Sequence, residues 1–139
     1  MREMAGYEIL EHTADIGLRA RGATLEEVFA TATEGMMAIA GTWHPDGGEE
    51  VPLEVEARDL AGLLVEWLGE ALYVQDSRSA SVAGVRLDKV GEDRAAGALL
   101  IRPFAGNQSE GVQIKAVTYH QLAVERSNDG WSATVFFDI

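Results

Sequence analysis

The residues best suited to chemistry stand where the sequence closes, at Asp138 and Ile139. If Ile139 is the native end, its α-carboxylate lies beside the Asp138 side chain. Two carboxylates on consecutive residues, at the open end of a strand, offer the oxygen donors that Ca²⁺ or Mg²⁺ takes. The same residues equally describe a terminal strand that ends in solvent. A second acidic pair, Glu66 and Glu70, is spaced four apart on one helix flank. Like charges at that spacing repel by about 0.2–0.5 kcal/mol, so the pair is either a solvated face or part of something cationic.

Several other chemistries are absent from the sequence. No glycine-rich phosphate loop of the Walker or dinucleotide type occurs. There is no Gly-x-Ser-x-Gly elbow. The three histidines, His12, His44 and His120, are scattered and form no His-x-x-x-His pair, which argues against a zinc hydrolase. His44 falls in a Pro- and Gly-bearing loop with no ligand neighbour and reads as a surface residue. The chain has no cysteine, hence neither a disulfide nor a thiolate site.

These groups must be positioned by strands and helices. Tyr7–Glu11 and Ile16–Ala20 read as two strands, the second with Ile16, Leu18 and Ala20 on one side. The short polar connection His12-Thr13-Ala14-Asp15 joins them. Thr24-Leu25-Glu26-Glu27 is a capping box. Leu25, Val28, Phe29, Ala32, Met36 and Ile39 follow at helical spacing, and Gly41 is the stop. Val51, Leu53, Val55 and Ala57 alternate with polar partners as a half-buried strand, and Pro52 places it at an edge or a strand start. Asp59 caps a second helix whose broad apolar face includes Leu60, Leu63, Leu64, Trp67, Leu68 and Leu72; it ends near Gln75–Ser77. Extended segments around Val82–Leu87 and Ala98–Ile101 are joined by a turn at Gly91-Glu92-Asp93. Phe104 to Gly111 reads as a polar loop.

The last third gives usable geometry. Ser127-Asn128-Asp129-Gly130 is a strong hairpin turn. The aromatic and β-branched run Trp131–Ile139 is the strand after it. With that turn, Arg126 faces Trp131. Counting back without a bulge, Tyr119 faces Asp138 and Thr118 faces Ile139. Lys115 precedes that pair at the same open end, and its long side chain can reach the terminal carboxylates.

Length and charge bound the rest. At 139 residues the chain is large enough for a single domain with its own core, spanning 1–139. No apolar run is long enough to span a membrane, no signal peptide is visible, and the cytoplasm is the default location. Twenty-three Asp and Glu against eleven Lys and Arg give a net charge of −12. Such a surface repels phosphate backbones. It suits a cation or a basic protein partner better than direct nucleic-acid binding, although acidic residues also serve solubility.

Three stretches together resemble the archease family. They are Glu11-His12-Thr13-Ala14-Asp15-Ile16-Gly17, Lys115-Ala116-Val117-Thr118-Tyr119-His120, and Phe137-Asp138-Ile139. The helix segment Leu64-Val65-Glu66-Trp67-Leu68-Gly69-Glu70 is similar too, with Gly69 where the family pattern carries a polar residue. The resemblance spans essentially the whole chain. It implies a compact α+β domain, mainly antiparallel β-sheet with two packed α-helices. It also implies a protein cofactor, rather than an enzyme, for the RNA ligase that joins 2′,3′-cyclic-phosphate or 3′-phosphate ends to 5′-hydroxyl ends in tRNA splicing and RNA repair. In that family the cofactor promotes guanylylation of the ligase and its multiple turnover. The resemblance further implies a divalent metal, Ca²⁺ or alternatively Mg²⁺, held by Asp15, Asp138 and the carboxylate of Ile139. Lys115 matches the family's functional lysine, and His12 and Glu70 are candidates for the same neighbourhood. Two rival readings are a metal-dependent hydrolase built on Asp15 and Asp138, and a general chaperone-like binding module.

Overall fold

A computed structural model describes residues 6–11, 15–45, 47–103 and 111–139. In chain order the elements are β1 (Gly6–Glu11), β2 (Asp15–Gly22), α1 (Leu25–Ala40), β3 (Glu49–Glu56), α2 (Leu60–Arg78), β4 (Ala80–Val90), β5 (Arg94–Pro103), β6 (Ala116–Val117), β7 (Ala123–Ser127) and β8 (Gly130–Asp138). The α+β class expected from the sequence is what the chain adopts. His12 and the Phe104–Glu110 part of the expected loop lie outside the described residues.

Local signals account for both helices. The Thr24 hydroxyl accepts from the Glu27 amide at 3.1 Å, and the Glu27 carboxylate accepts in return from the amide of Ala23. One orphan donor of α1, the Glu27 amide, and the amide just before the cap are thereby satisfied. Gly41 closes the helix at φ 76°, a left-handed conformation that costs glycine little. The Asp59 carboxylate accepts from the Gly62 amide at 2.7 Å. The helix α2 then runs to Arg78, slightly beyond the expected end, and Ser79 takes the left-handed cap. Among the described residues no helix is long and apolar enough to cross a membrane.

The strands divide into two sheets, a division on which the sequence is silent. One contains β1-β2-β8-β6 with β7 also pairing β8; the other is β3-β5-β4. All the strand pairs are antiparallel. Pro52 sits on the edge strand β3, where a missing amide hydrogen breaks no necessary ladder bond. Both helices touch both sheets. A single hydrophobic cluster results, in which Ile16, Leu18 and Ala20 of β2 and Ala133, Val135 and Phe137 of β8 join the apolar faces of α1 and α2. Met36 and Met37 are fully buried in it. One polar bridge crosses the helix layer. The Trp67 Nε1–H donates to the Thr33 hydroxyl at 2.9 Å, and that hydroxyl donates to the Phe29 carbonyl at 2.7 Å.

Gly69 offers a direct test of α2. A Cβ added there would meet nothing within 4 Å, so its only local effect is on backbone entropy. Gly69→Ala is expected to stabilise the protein by about 0.5–1 kcal/mol, seen as a rise in Tm of a few degrees on thermal denaturation; an unchanged or lower Tm would contradict the open environment assigned to it.

Candidate metal centre

The register of β2 against β8 decides where the acidic residues lie. Asp15 pairs directly with Asp138, Ile16 with Phe137 and Gly17 with Phe136. Side chains alternate along each strand, so residues directly opposite share a face. Ile16 and Phe137 point into the core; Asp15, Asp138, Gly17 and Phe136 therefore lie on the outward face. In an antiparallel pair, opposed Cβ atoms are about 4.5–5.5 Å apart. Two carboxylates, 123 positions apart in sequence, thus face each other across one ladder rung.

Asp138 is exposed and Asp15 half-buried. Among the described residues neither is ion-paired. Elsewhere on the sheets carboxylates have arginine partners: Glu8 with Arg19, Glu50 and Asp88 with Arg86, and Glu54 and Glu56 with Arg94. Bonds to Asp88 and Glu50 raise the Arg86 guanidinium above its already high value. Like charges directly opposite in a ladder destabilise it, so the uncompensated pair is a place that a cation would stabilise.

Lys115 arrives by a route the sequence count misses. The expected partners of Asp138 and Ile139 were Tyr119 and Thr118. Instead Ala116 pairs with Asp138 and Val117 with Phe137, a displacement of three residues. The cause is an excursion between β6 and β7. The Thr118 amide and hydroxyl both donate to the Phe136 carbonyl, at 3.0 and 2.9 Å. The His120 amide donates to the Thr118 hydroxyl at 3.2 Å. Gln121 adopts φ 52°, and the Leu122 amide closes the turn on the Tyr119 carbonyl at 3.3 Å. The extra residues leave β7 in the expected register, with Arg126 opposite Trp131, and bring the Lys115 backbone to the end of β8. Its amide donates to the Asp138 carbonyl at 2.8 Å. Without the excursion Lys115 would overshoot the end of β8.

The structure therefore brings Asp15, Asp138, Ile139 and Lys115 to one end of the larger sheet. The Ile139 side chain packs against the core, which holds the last residue in place. Glu70 is exposed on α2. Among the described residues no three His or acid side chains converge as a ready metal cluster, so Glu70 does not complete the Asp15–Asp138 pair. His44 is exposed, as read from the sequence. The carboxylate oxygens of Asp15 and Asp138 are donors of the kind that a hard cation takes.

The model of the Archease protein family matches residues 7–139. The chain belongs to the archease family. Over 141 residues it is 37% identical to "Protein archease" of Methanosarcina acetivorans, covering 96% of this chain and 95% of that one. The archease fold is equally plain in solved structures. A solution structure of protein 1598 from Methanobacterium thermoautotrophicum has a TM-score of 0.80 at 27% identity, covering 96% of this chain and 99% of its own. A crystal structure from Thermotoga maritima, described as an archease and possible chaperone, has a TM-score of 0.65 at 24% identity, covering 100% and 98%. This archease shares their arrangement of two helices with mainly antiparallel strands.

One feature of the site went unread in the sequence. Phe136 is 2% exposed although it points away from the helices, and the His120 ring stands edge-on against it. The available signal was Gly17, an isolated glycine inside a strand pattern, which marks close approach of another group.

Proposed function

We propose that this archease is a cation-binding protein cofactor that activates the RNA ligase joining 3′-phosphate or 2′,3′-cyclic-phosphate ends to 5′-hydroxyl ends. The carrying observation is the Asp15–Asp138 rung, without an ion-pair partner among the described residues, with the Lys115 backbone bonded to Asp138 at the same sheet end. Asp15, Asp138 and, where Ile139 is the native end, its α-carboxylate would hold Ca²⁺ or Mg²⁺. The bound ion would offset their mutual repulsion and present a fixed positive charge. Lys115 has no acceptor and while protonated cannot ligate a cation; it would contact phosphate or offset the carboxylates. A net charge of −12 supports docking on a basic nucleic-acid enzyme rather than on RNA itself.

The test is a multiple-turnover ligation assay with the cognate ligase, with and without this protein. Stimulation is expected. Lys115→Ala should keep calcium affinity within about threefold yet reduce stimulation at limiting protein by about 10-fold, the scale of one lost charge-assisted contact. Wild-type stimulation by this variant would remove Lys115 from the functional set. A linker and hexahistidine tag after Ile139 converts its carboxylate into an amide and should weaken both calcium binding and stimulation, whereas an N-terminal tag should not. Equal performance of both fusions would show that Ile139 is not a ligand. Two further arms separate the rivals. Turnover of phosphate esters by the protein alone would indicate a hydrolase. Suppression of aggregation in unrelated clients, independent of Asp138, would indicate the chaperone role that the Thermotoga maritima description names.

A further inference from the structure

Phe136 occupies an odd position for a buried aromatic. It lies on the face of the larger sheet opposite the helices, two rungs inward from Asp15 and Asp138. A Cβ at Gly17, its cross-strand partner, would fall 2.5 Å from the Phe136 ring. The ring thus rests directly on the β2 backbone, and only glycine leaves it room. From the other side the His120 imidazole meets it edge-on, with ring centroids 5.6 Å apart and planes at 72°. The Phe136 carbonyl is held twice by Thr118. The excursion that delivers Lys115 is therefore the same one that sets His120 on the Phe136 ring.

We infer that Gly17, Phe136 and His120 form a clamp that floors the cation site, with His120 as its positioning residue. This rests on the cation site proposed above. The clamp ties β2 to β8 about 7 Å along the strands from the opposed carboxylates. It fixes their separation before an ion arrives. It also places an apolar ring, rather than water, under one side of the site, which strengthens the attraction between carboxylate and cation. His120 supplies no ligand in this arrangement; it acts by holding the ring that holds the strands.

Calcium titration calorimetry on the full chain tests this, with metal-free Tm measured in parallel. His120→Ala is expected to lower calcium affinity by about 10-fold, as loss of an outer-shell partner does, with little change in metal-free Tm because His120 is exposed. Gly17→Ala should weaken calcium binding similarly by lifting the ring. His120→Phe restores a ring edge and should recover wild-type affinity within about twofold. If His120→Ala and Gly17→Ala both bind calcium like the wild type while Asp138→Asn does not, the clamp is overturned and the cation site stands. If His120→Phe is as weak as His120→Ala, the imidazole acts on the ion itself and the positioning role is overturned. If the wild type binds neither Ca²⁺ nor Mg²⁺, the cation site fails and the clamp falls with it.

Discussion

Asp138→Asn and Asp15→Asn should each lower calcium affinity by about two orders of magnitude, since ligand charge count is the main determinant of affinity in oxygen-donor sites. The metal-free protein should respond in the opposite direction. Asp15 and Asp138 are opposed on one rung without an ion-pair partner among the described residues. Neutralising either removes a like-charge repulsion, so the metal-free Tm should stay level or rise slightly. Added calcium should raise the wild-type Tm by mass action and leave the variants almost unmoved. The pairing of opposite signs is the discriminating feature. A merely structural aspartate would lose stability on substitution and show no calcium dependence. Wild-type calcium affinity in both variants would show that the rung is not the site.

The second large effect concerns the core. Trp67→Ala is expected to destabilise the protein by about 3–5 kcal/mol, the usual cost of removing a large buried side chain and leaving a cavity. Trp67 is fully buried. At about 3–5 °C per kcal/mol for a chain of this size, the Tm should fall by roughly 10–20 °C. Trp67→Phe separates the two contributions. It keeps most of the apolar volume but loses the indole N–H that Thr33 accepts. Thr33 still donates to Phe29, so no buried donor is orphaned, and the expected cost is about 1–2 kcal/mol. Both variants should retain calcium binding wherever they remain folded. Equal Tm for Trp67→Ala and the wild type, on urea or thermal unfolding, would contradict the position assigned to Trp67 between the helices.

Much of this architecture is local and so legible in the residues. Thr24, Gly41 and Asp59 mark helix ends because capping needs only a side-chain oxygen or a free left-handed backbone within one turn. The Ser127–Gly130 turn set the β7–β8 register correctly because a two-residue hairpin closes over a few bonds. The acidic balance is likewise a property of composition alone. The family pattern also placed Asp15 with Asp138 by resemblance.

Other features depend on contacts that no local pattern carries. The division of the strands into two sheets follows from which edges pair, and alternation within a strand is silent about its neighbour. The register of β6 shifted by three because Thr118 satisfies its donors on the Phe136 carbonyl and Gln121 accepts a positive φ. A continuous run of strand-forming residues from Lys115 to Glu125 gives no warning of that excursion, since each residue in it tolerates extended structure. The sequence by itself thus determined the helices, the hairpin, the charge and the residue types available for a cation. Only the tertiary structure decided that Asp15 and Asp138 share a rung, that the Lys115 backbone meets β8 at Asp138, and that Phe136 rests on Gly17 two rungs away, because those relations are fixed by hydrogen bonds and packing between strands far apart in the chain.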